Sequence, residues 1–196
     1  MTKKILMIVG DYVEDYELMV PFQALQMVGH TVHVVCPDKE EGDNVVTAIH
    51  DVEECGSIQT YSEKIGHNFT LNESLWNVDT SDYDALIIPG GRSPEYVRLD
   101  SEIIDIVKEF DESKKPIVAI GHGPLVLAAA GILKGRECAG HKTISYDITN
   151  AGGEWIDIAL DEAHVDDNLV TAPAWPAHPA LLSALLGLLK TNIDDT

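Results

Sequence analysis

The chain has 196 residues, 45% of them hydrophobic, which is enough for one sizeable core and too much for a chain disordered throughout. Its 33 Asp and Glu against 13 Lys and Arg give a formal net charge of −20, and the three arginines, Arg92, Arg98 and Arg136, are scattered. A surface of that sign repels phosphate backbones and anionic lipid, so neither nucleic acid nor membrane is an expected partner. The same excess fits a salty cytoplasm, although ten lysines against three arginines weaken an extreme-halophile reading. Cys36, Cys55 and Cys138 are odd in number and widely spaced with no CxxC pair, which suits a reduced compartment. The first apolar run, residues 5–9, is too short for a signal peptide or membrane span, so the expected location is cytoplasmic.

Short apolar runs alternate with helical patterns, the signature of βαβ units around a mostly parallel sheet. Residues 5–9 read as the first strand, and 14–28 as a helix that Pro21 should kink before Gly29 stops it. Residues 31–36 are a second strand. Residues 37–82 break the rhythm, being charged and polar with β-like pieces at 45–50 and 57–61, and read as an inserted hairpin with loops. Residues 85–88 form a buried strand ending in Pro89-Gly90-Gly91, and 101–110 a helix with Ser101 as its cap and Glu102 in its first turn. Residues 116–120 are the next strand, feeding Gly121-His122-Gly123-Pro124 and an apolar helix at 125–130 closed by Gly131. Then come 136–139, a helical stretch at 145–151, 155–158, a strand at 169–171 behind the turn Asp166-Asp167-Asn168, and a last helix from Pro179 to about Lys190. With no repeat or linker, residues 1–196 read as a single domain.

In an open α/β sheet, ligands bind beyond the carboxyl ends of the strands. The polar loops there are residues 10–17, 89–96, 121–124 and 172–178. The turn Ala119-Ile120-Gly121-His122-Gly123-Pro124 is the most informative, because a sharp strand-to-helix elbow holds one side chain above the sheet and beside a helix amino terminus. A nucleophile would occupy that place.

These residues resemble the DJ-1/PfpI superfamily of class I glutamine amidotransferase-like folds, in its glyoxalase III and intracellular protease-like branch. The family elbow reads Ala-Ile-Cys-His-Gly-Pro before an Ala-rich helix; here the stretch leads into Leu127-Ala128-Ala129-Ala130-Gly131. The resemblance extends to Glu14-Asp15-Tyr16-Glu17-Leu18-Met19-Val20-Pro21, to Pro89-Gly90-Gly91-Arg92 and to His178-Pro179. Gly66-His67-Asn68-Phe69 resembles the branch with plant glyoxalase-type members. It implies a flavodoxin-like, doubly wound, mostly parallel sheet with helices on both faces and an inserted β-hairpin, and a homo-oligomer. One departure is clear: position 121, where the family places its reactive cysteine, is glycine.

Glycine accepts a strained elbow backbone but carries no thiol, so covalent hemithioacetal or thioester chemistry is impossible at position 121 and thiol-dependent proteolysis is not expected. The resemblance places Glu17 beside that position, in a pocket that would raise its pKa and suit acid or base work. His122 comes from the elbow itself, and the backbone N–H groups of His122 and Gly91 match the family's oxyanion site. The leading expectation is a glyoxalase III-like or related lyase or hydratase acting on a small α-oxo or α-hydroxy carbonyl compound through Glu17 and His122, without cofactor. The alternatives are an inactive relative that binds a ligand or serves in assembly, and a cysteine enzyme inactivated by a Cys-to-Gly change. Glu95 matches a pocket-rim acid, His178 sits on a loop expected to face the elbow, and Trp175 is a candidate wall. His50, His67 and His141 are further histidines able to approach. His30, His33 and His164 read as surface or strand positions. No HExxH spacing occurs, so no metal site is expected. Cys36 and Cys138 read as buried inert thiols, and Trp76 and Trp155 as packing residues.

Overall fold

The structure, a computed structural model, describes residues 2–51 and 60–191. Cys55, most of the β-like piece at 57–61 and the acidic pair Asp194-Asp195 lie outside the described residues. The chain opens with β1 (Lys4–Ile8), a two-residue β2 (Val13–Glu14), α1 (Asp15–Met27) and β3 (Thr31–Val35). Two longer strands follow, β4 (Asn44–Asp51) and β5 (Ser62–Thr70), then β6 (Ala85–Ile88), α2 (Ser93–Val97) and α3 (Ser101–Glu112). The remainder is β7 (Ile117–Ile120), α4 (Pro124–Ala130), β8 (Glu137–Cys138), α5 (Ser145–Asn150), β9 (Glu154–Trp155), β10 (His164–Asp166), β11 (Leu169–Ala172) and α6 (His178–Leu188).

The main sheet has the order β10, β11, β7, β6, β1, β3, parallel throughout except for the antiparallel edge strand β10. It is doubly wound because both faces are covered, which is also why its strands are apolar without alternation. Ile5 and Met7 of β1 join a core with Leu18 and Leu25 of α1 and Leu181 and Leu185 of α6. Leu6 and Ile8, pointing the other way, join Ile103 and Phe110 of α3 and Leu127 of α4. The chain winds outward from β1 in both directions, so the topological switch lies between β1 and β6, and the loops after β1, β6, β7 and β11 gather beyond it.

The expected hairpin exists, with a shifted second arm. β4 covers 45–50, and its antiparallel partner is Ser62–Thr70 rather than 57–61; β2 adds a third, parallel strand on the other edge of β4. The sequence of β5 is polar and mostly exposed, so it carries no apolar run. The cap of α3 is also corrected: Asp100 Oδ1 accepts from the Glu102 and Ile103 amides at 2.8 and 3.2 Å, and Ser101 is already helical. α1 continues through Pro21, with Glu14 as its cap. Gly131 closes α4 in the left-handed region at φ 75°. Among the described residues no helix is long and apolar enough to cross a membrane.

Candidate active site

β7 ends at Ile120 and the chain turns sharply into α4. Gly121 takes φ 58°, the left-handed region that favours glycine. Its N–H donates to the Ala172 carbonyl at 3.0 Å, and its own carbonyl accepts from the His141 N–H at 2.8 Å. β11 and the loop after β8 therefore clamp the elbow. A Cβ placed on Gly121 would lie 3.1 and 3.3 Å from Glu17 Oε1 and Oε2, so the Glu17 carboxyl group borders the space a side chain at position 121 would enter.

The first turn of α1 supplies two buried carboxyl groups. Glu14 Oε2 caps the helix, accepting from the Glu17 N–H at 2.8 Å, and Glu17 Oε2 accepts from the Gly90 N–H at 2.6 Å. The Trp175 backbone N–H lies near enough to oppose the upward shift of Glu17 slightly. Burial raises the Glu17 pKa well above the ordinary carboxyl range, and the neighbouring Glu14 charge adds to it. Burial pushes Glu14 up to about 7, against the opposing pull of backbone N–H donors from Glu17 and His50. Burial and the neighbouring charge thus both favour the protonated form of Glu17, and Glu14 is poised between its two forms near pH 7.

Gly91 sits at φ 73° in the loop after β6, pinned by Glu14 N–H to Gly90 carbonyl and Arg92 N–H to Tyr12 carbonyl bonds of 3.3 and 2.9 Å. The N–H groups of Gly91 and His122 have no acceptor among the described residues. Both residues line the cavity, so these two donors are available to a ligand oxygen.

The His122 ring is held at both nitrogens. Nδ1 meets the Gly91 carbonyl at 3.1 Å, and Nε2 meets Thr143 Oγ1, also at 3.1 Å. A carbonyl only accepts, so Nδ1 carries the proton. Thr143 Oγ1 lies 2.7 Å from His141 Nδ1, and the His122 and His141 rings meet edge-on at 5.3 Å. Burial pushes His122 down from its ordinary pKa and takes His141 to about 4. Both imidazoles are therefore neutral near pH 7, and His122 is a positioned wall of the site whose nitrogens are already engaged.

The elbow, both glutamates, His50, Tyr61 and Trp175 enclose a cavity of about 30 Å³. It opens beside a wider cleft of about 240 Å³ lined by Asp15, Tyr16, Lys64 and His67, with Glu14, His50 and Trp175 shared between the two. Tyr16 stacks edge-on against Trp175 at 5.3 Å. In the outer cleft, buried Asp15 accepts from Thr47 Oγ1, the His67 N–H and His67 Nδ1, the last at 3.1 Å.

Of the residues expected from sequence, Glu17, Gly121, His122, Gly91 and Trp175 come together here. Glu95 does not line the cavity; it is exposed on the first turn of α2, 3.9 Å from the Arg92 guanidinium. His178 starts α6, buried in apolar surroundings that push it to about 4, and also lies outside the cavity wall. Trp76, read as a packing residue, is 60% exposed. His30, read as a surface or strand position, is buried just before β3 and meets Thr191 Oγ1. Cys36 and Cys138 are buried thiols, both pushed up to about 12 by desolvation. The residues the sequence did not single out are Glu14 and Tyr61. Glu14 had a signal, since a carboxylate three residues before Glu17 at a helix start is a cap; Tyr61 had none. Among the described residues no group of three His, Cys, Asp or Glu side chains has metal-holding geometry.

The sequence pattern of the DJ-1/PfpI family matches residues 3–188. Protein DJ-1 homolog D of Arabidopsis thaliana is 50% identical over 97% of this chain and 49% of its own length. Two further Arabidopsis relatives are likewise covered to 46%, so the chain spans about half the length of these plant proteins. Deglycase PfpI of Pyrococcus furiosus is 36% identical over 92% of this chain and 93% of its own. A solved two-domain protein of Anabaena variabilis, with DJ-1/ThiJ/PfpI-like and ferritin-like domains, is 27% identical with a TM-score of 0.79, covering 96% of this chain and 48% of that one.

Proposed function

Because the chain belongs to the DJ-1/PfpI family, we propose that it is an enzyme of glyoxalase III-like ancestry that converts a small α-oxo aldehyde to the α-hydroxy acid by acid–base chemistry, with water in the role of the absent thiol. The observation that carries this reading is the placement of Glu17, a buried, proton-holding carboxyl group whose oxygens lie within 3.3 Å of the Cβ position on Gly121. A relative that bears the name deglycase supports enzymatic chemistry on this scaffold.

The site supplies each part of such a reaction. A cavity of about 30 Å³ admits a water-sized group, which needs roughly 10–15 Å³ of such space. The aldehyde carbon, as its hydrate, takes the space over Gly121. Its C–H proton leaves, the electron pair forms a carbon–carbon double bond, and the neighbouring carbonyl oxygen becomes an enediolate oxygen. The Gly91 and His122 N–H groups are the donors for that oxygen, and Glu17 is the acid that protonates it. Return of a proton to the second carbon completes the hydroxy acid. Substrate and one water balance product, so no outside oxidant or reductant is required.

The test is a panel of methylglyoxal, glyoxal and hydroxy-carbonyl compounds, assayed with the wild type and with Glu17→Gln. A preferred substrate whose kcat drops about a hundredfold in Glu17→Gln supports the reading. Equal turnover by the two proteins would remove Glu17 from the chemistry, and saturable binding without turnover would favour a ligand-binding role.

A further inference from the structure

The carbonyl reading leaves the base for the C–H proton unassigned, and the β4/β5 arm holds a candidate that the elbow motif does not contain. His50 and Glu63 face each other in the register of the antiparallel pair. His50 Nε2 lies 3.0 Å from Glu63 Oε2, and the other oxygen, Oε1, lies 3.4 Å from Arg92 Nη1. A carboxylate accepts, so Nε2 carries the imidazole proton and Nδ1 is left bare. The His50 side chain is only 6% exposed. Its Nδ1 is buried with no partner among the described residues, and the residue lines both the inner cavity and the outer cleft.

The same lining carries a complementary group. Trp175 Nε1, a donor only, is also buried without a partner among the described residues, and Trp175 lines the same two spaces. Buried polar groups in native proteins are almost always satisfied, so an unmatched acceptor and an unmatched donor in one cavity call for a ligand that offers both senses of bond. A carbonyl hydrate does so, with hydroxyl and C–H hydrogens to give and oxygens to accept.

We infer that His50, oriented by Glu63, is the catalytic base that removes the C–H proton of the bound hydrate through Nδ1, while Trp175 Nε1–H holds one of its oxygens. The inference rests on the carbonyl reading for its substrate. The C–H bond breaks toward Nδ1, giving an imidazolium whose Nε2–H remains bonded to Glu63. The electron pair moves into the new carbon–carbon double bond, the imidazolium exchanges its proton with solvent, and a solvent-derived proton returns to the second carbon. Glu63 touches no substrate atom; it is a positioning residue that fixes the tautomer and stabilises the transient cation. The arm placed by the sequence outside the elbow is then part of the site.

Two measurements separate this inference from the reading beneath it. Side-chain ¹⁵N NMR reports the tautomer independently of activity: a bare Nδ1 and protonated Nε2 at His50 are expected, and an Nδ1–H tautomer would overturn the assignment whatever the enzyme turns over. Acetohydroxamate, a stable mimic of an enediolate, should shift the His50 Nδ1 resonance and bind at least tenfold more weakly to His50→Phe; an unchanged resonance with unchanged binding counts against the role. On whichever carbonyl compound the wild type turns over, His50→Gln should lose about a hundredfold or more in kcat. Glu63→Gln should lower kcat with little change in KM, and Glu63→Asp should restore part of it. Full activity in a folded His50→Gln would refute the inference while leaving Glu17 and the carbonyl reading intact. Absence of turnover in the wild type would remove that reading and leave the tautomer and hydroxamate results to decide on His50.

Discussion

The carboxyl oxygens of Glu17 lie 3.1 and 3.3 Å from the point where a Cβ on Gly121 would stand. Contact at that range is tight, and Gly121 also holds φ 58°. Gly121→Ala should therefore destabilise the fold by about 1–2 kcal/mol, the cost of a left-handed backbone for a residue with a Cβ. Urea denaturation at pH 7 measures it.

Gly121→Cys carries the same backbone cost and adds a thiol that faces the inner cavity. Cys36 and Cys138 are buried and pushed up to about 12, so native iodoacetamide labelling should leave both slow. Mass spectrometry of peptides from the labelled variant should find position 121 modified well before either of them.

The paired carboxyls make stability fall with pH. Glu14 and Glu17 have raised folded-state pKa values, so the native state binds more protons than the unfolded chain above about pH 4.5. Their stabilising contribution is complete below the unfolded value and is lost as pH rises through the raised folded values, about 7 for Glu14. Glu14→Gln should flatten the decline between pH 4.5 and 7, and its stability relative to the wild type should improve from pH 5 to pH 8. Urea midpoints at the two pH values give the sign directly.

Asp100, two of whose acceptor bonds close the start of α3, should cost about 1 kcal/mol when replaced by alanine. Ser101→Ala, one residue later and already helical, should change stability by less than about 0.5 kcal/mol. Thermal melts of the two variants distinguish the cap from its neighbour.

The strands of the main sheet were legible because both of their faces are buried. Runs such as Ala85-Leu86-Ile87-Ile88 need no alternation to be read, and the elbow followed from Gly121-His122-Gly123-Pro124 at the end of one of them. β5 was not legible, since Ser62-Glu63-Lys64 faces solvent and its place is set by pairing with β4. The same blindness hid Tyr61 and the Glu63 contact to His50, which register brings together across 13 residues. His178 shows the converse: its motif suggested the site, but the start of α6 carries it into apolar packing beyond the cavity wall. Glu95 matched a rim position in sequence; it lies outside the cavity lining beside Arg92, and its charge acts on His122 and Tyr61, which line that cavity.

The most direct measurement is proton NMR of the product formed from methylglyoxal in D₂O. Enolisation over Gly121 with Glu17 as acid predicts lactate carrying solvent deuterium at its second carbon, made by the wild type and about a hundredfold more slowly by Glu17→Gln. Lactate that retains hydrogen at that carbon, or equal rates in the two proteins, would contradict the account.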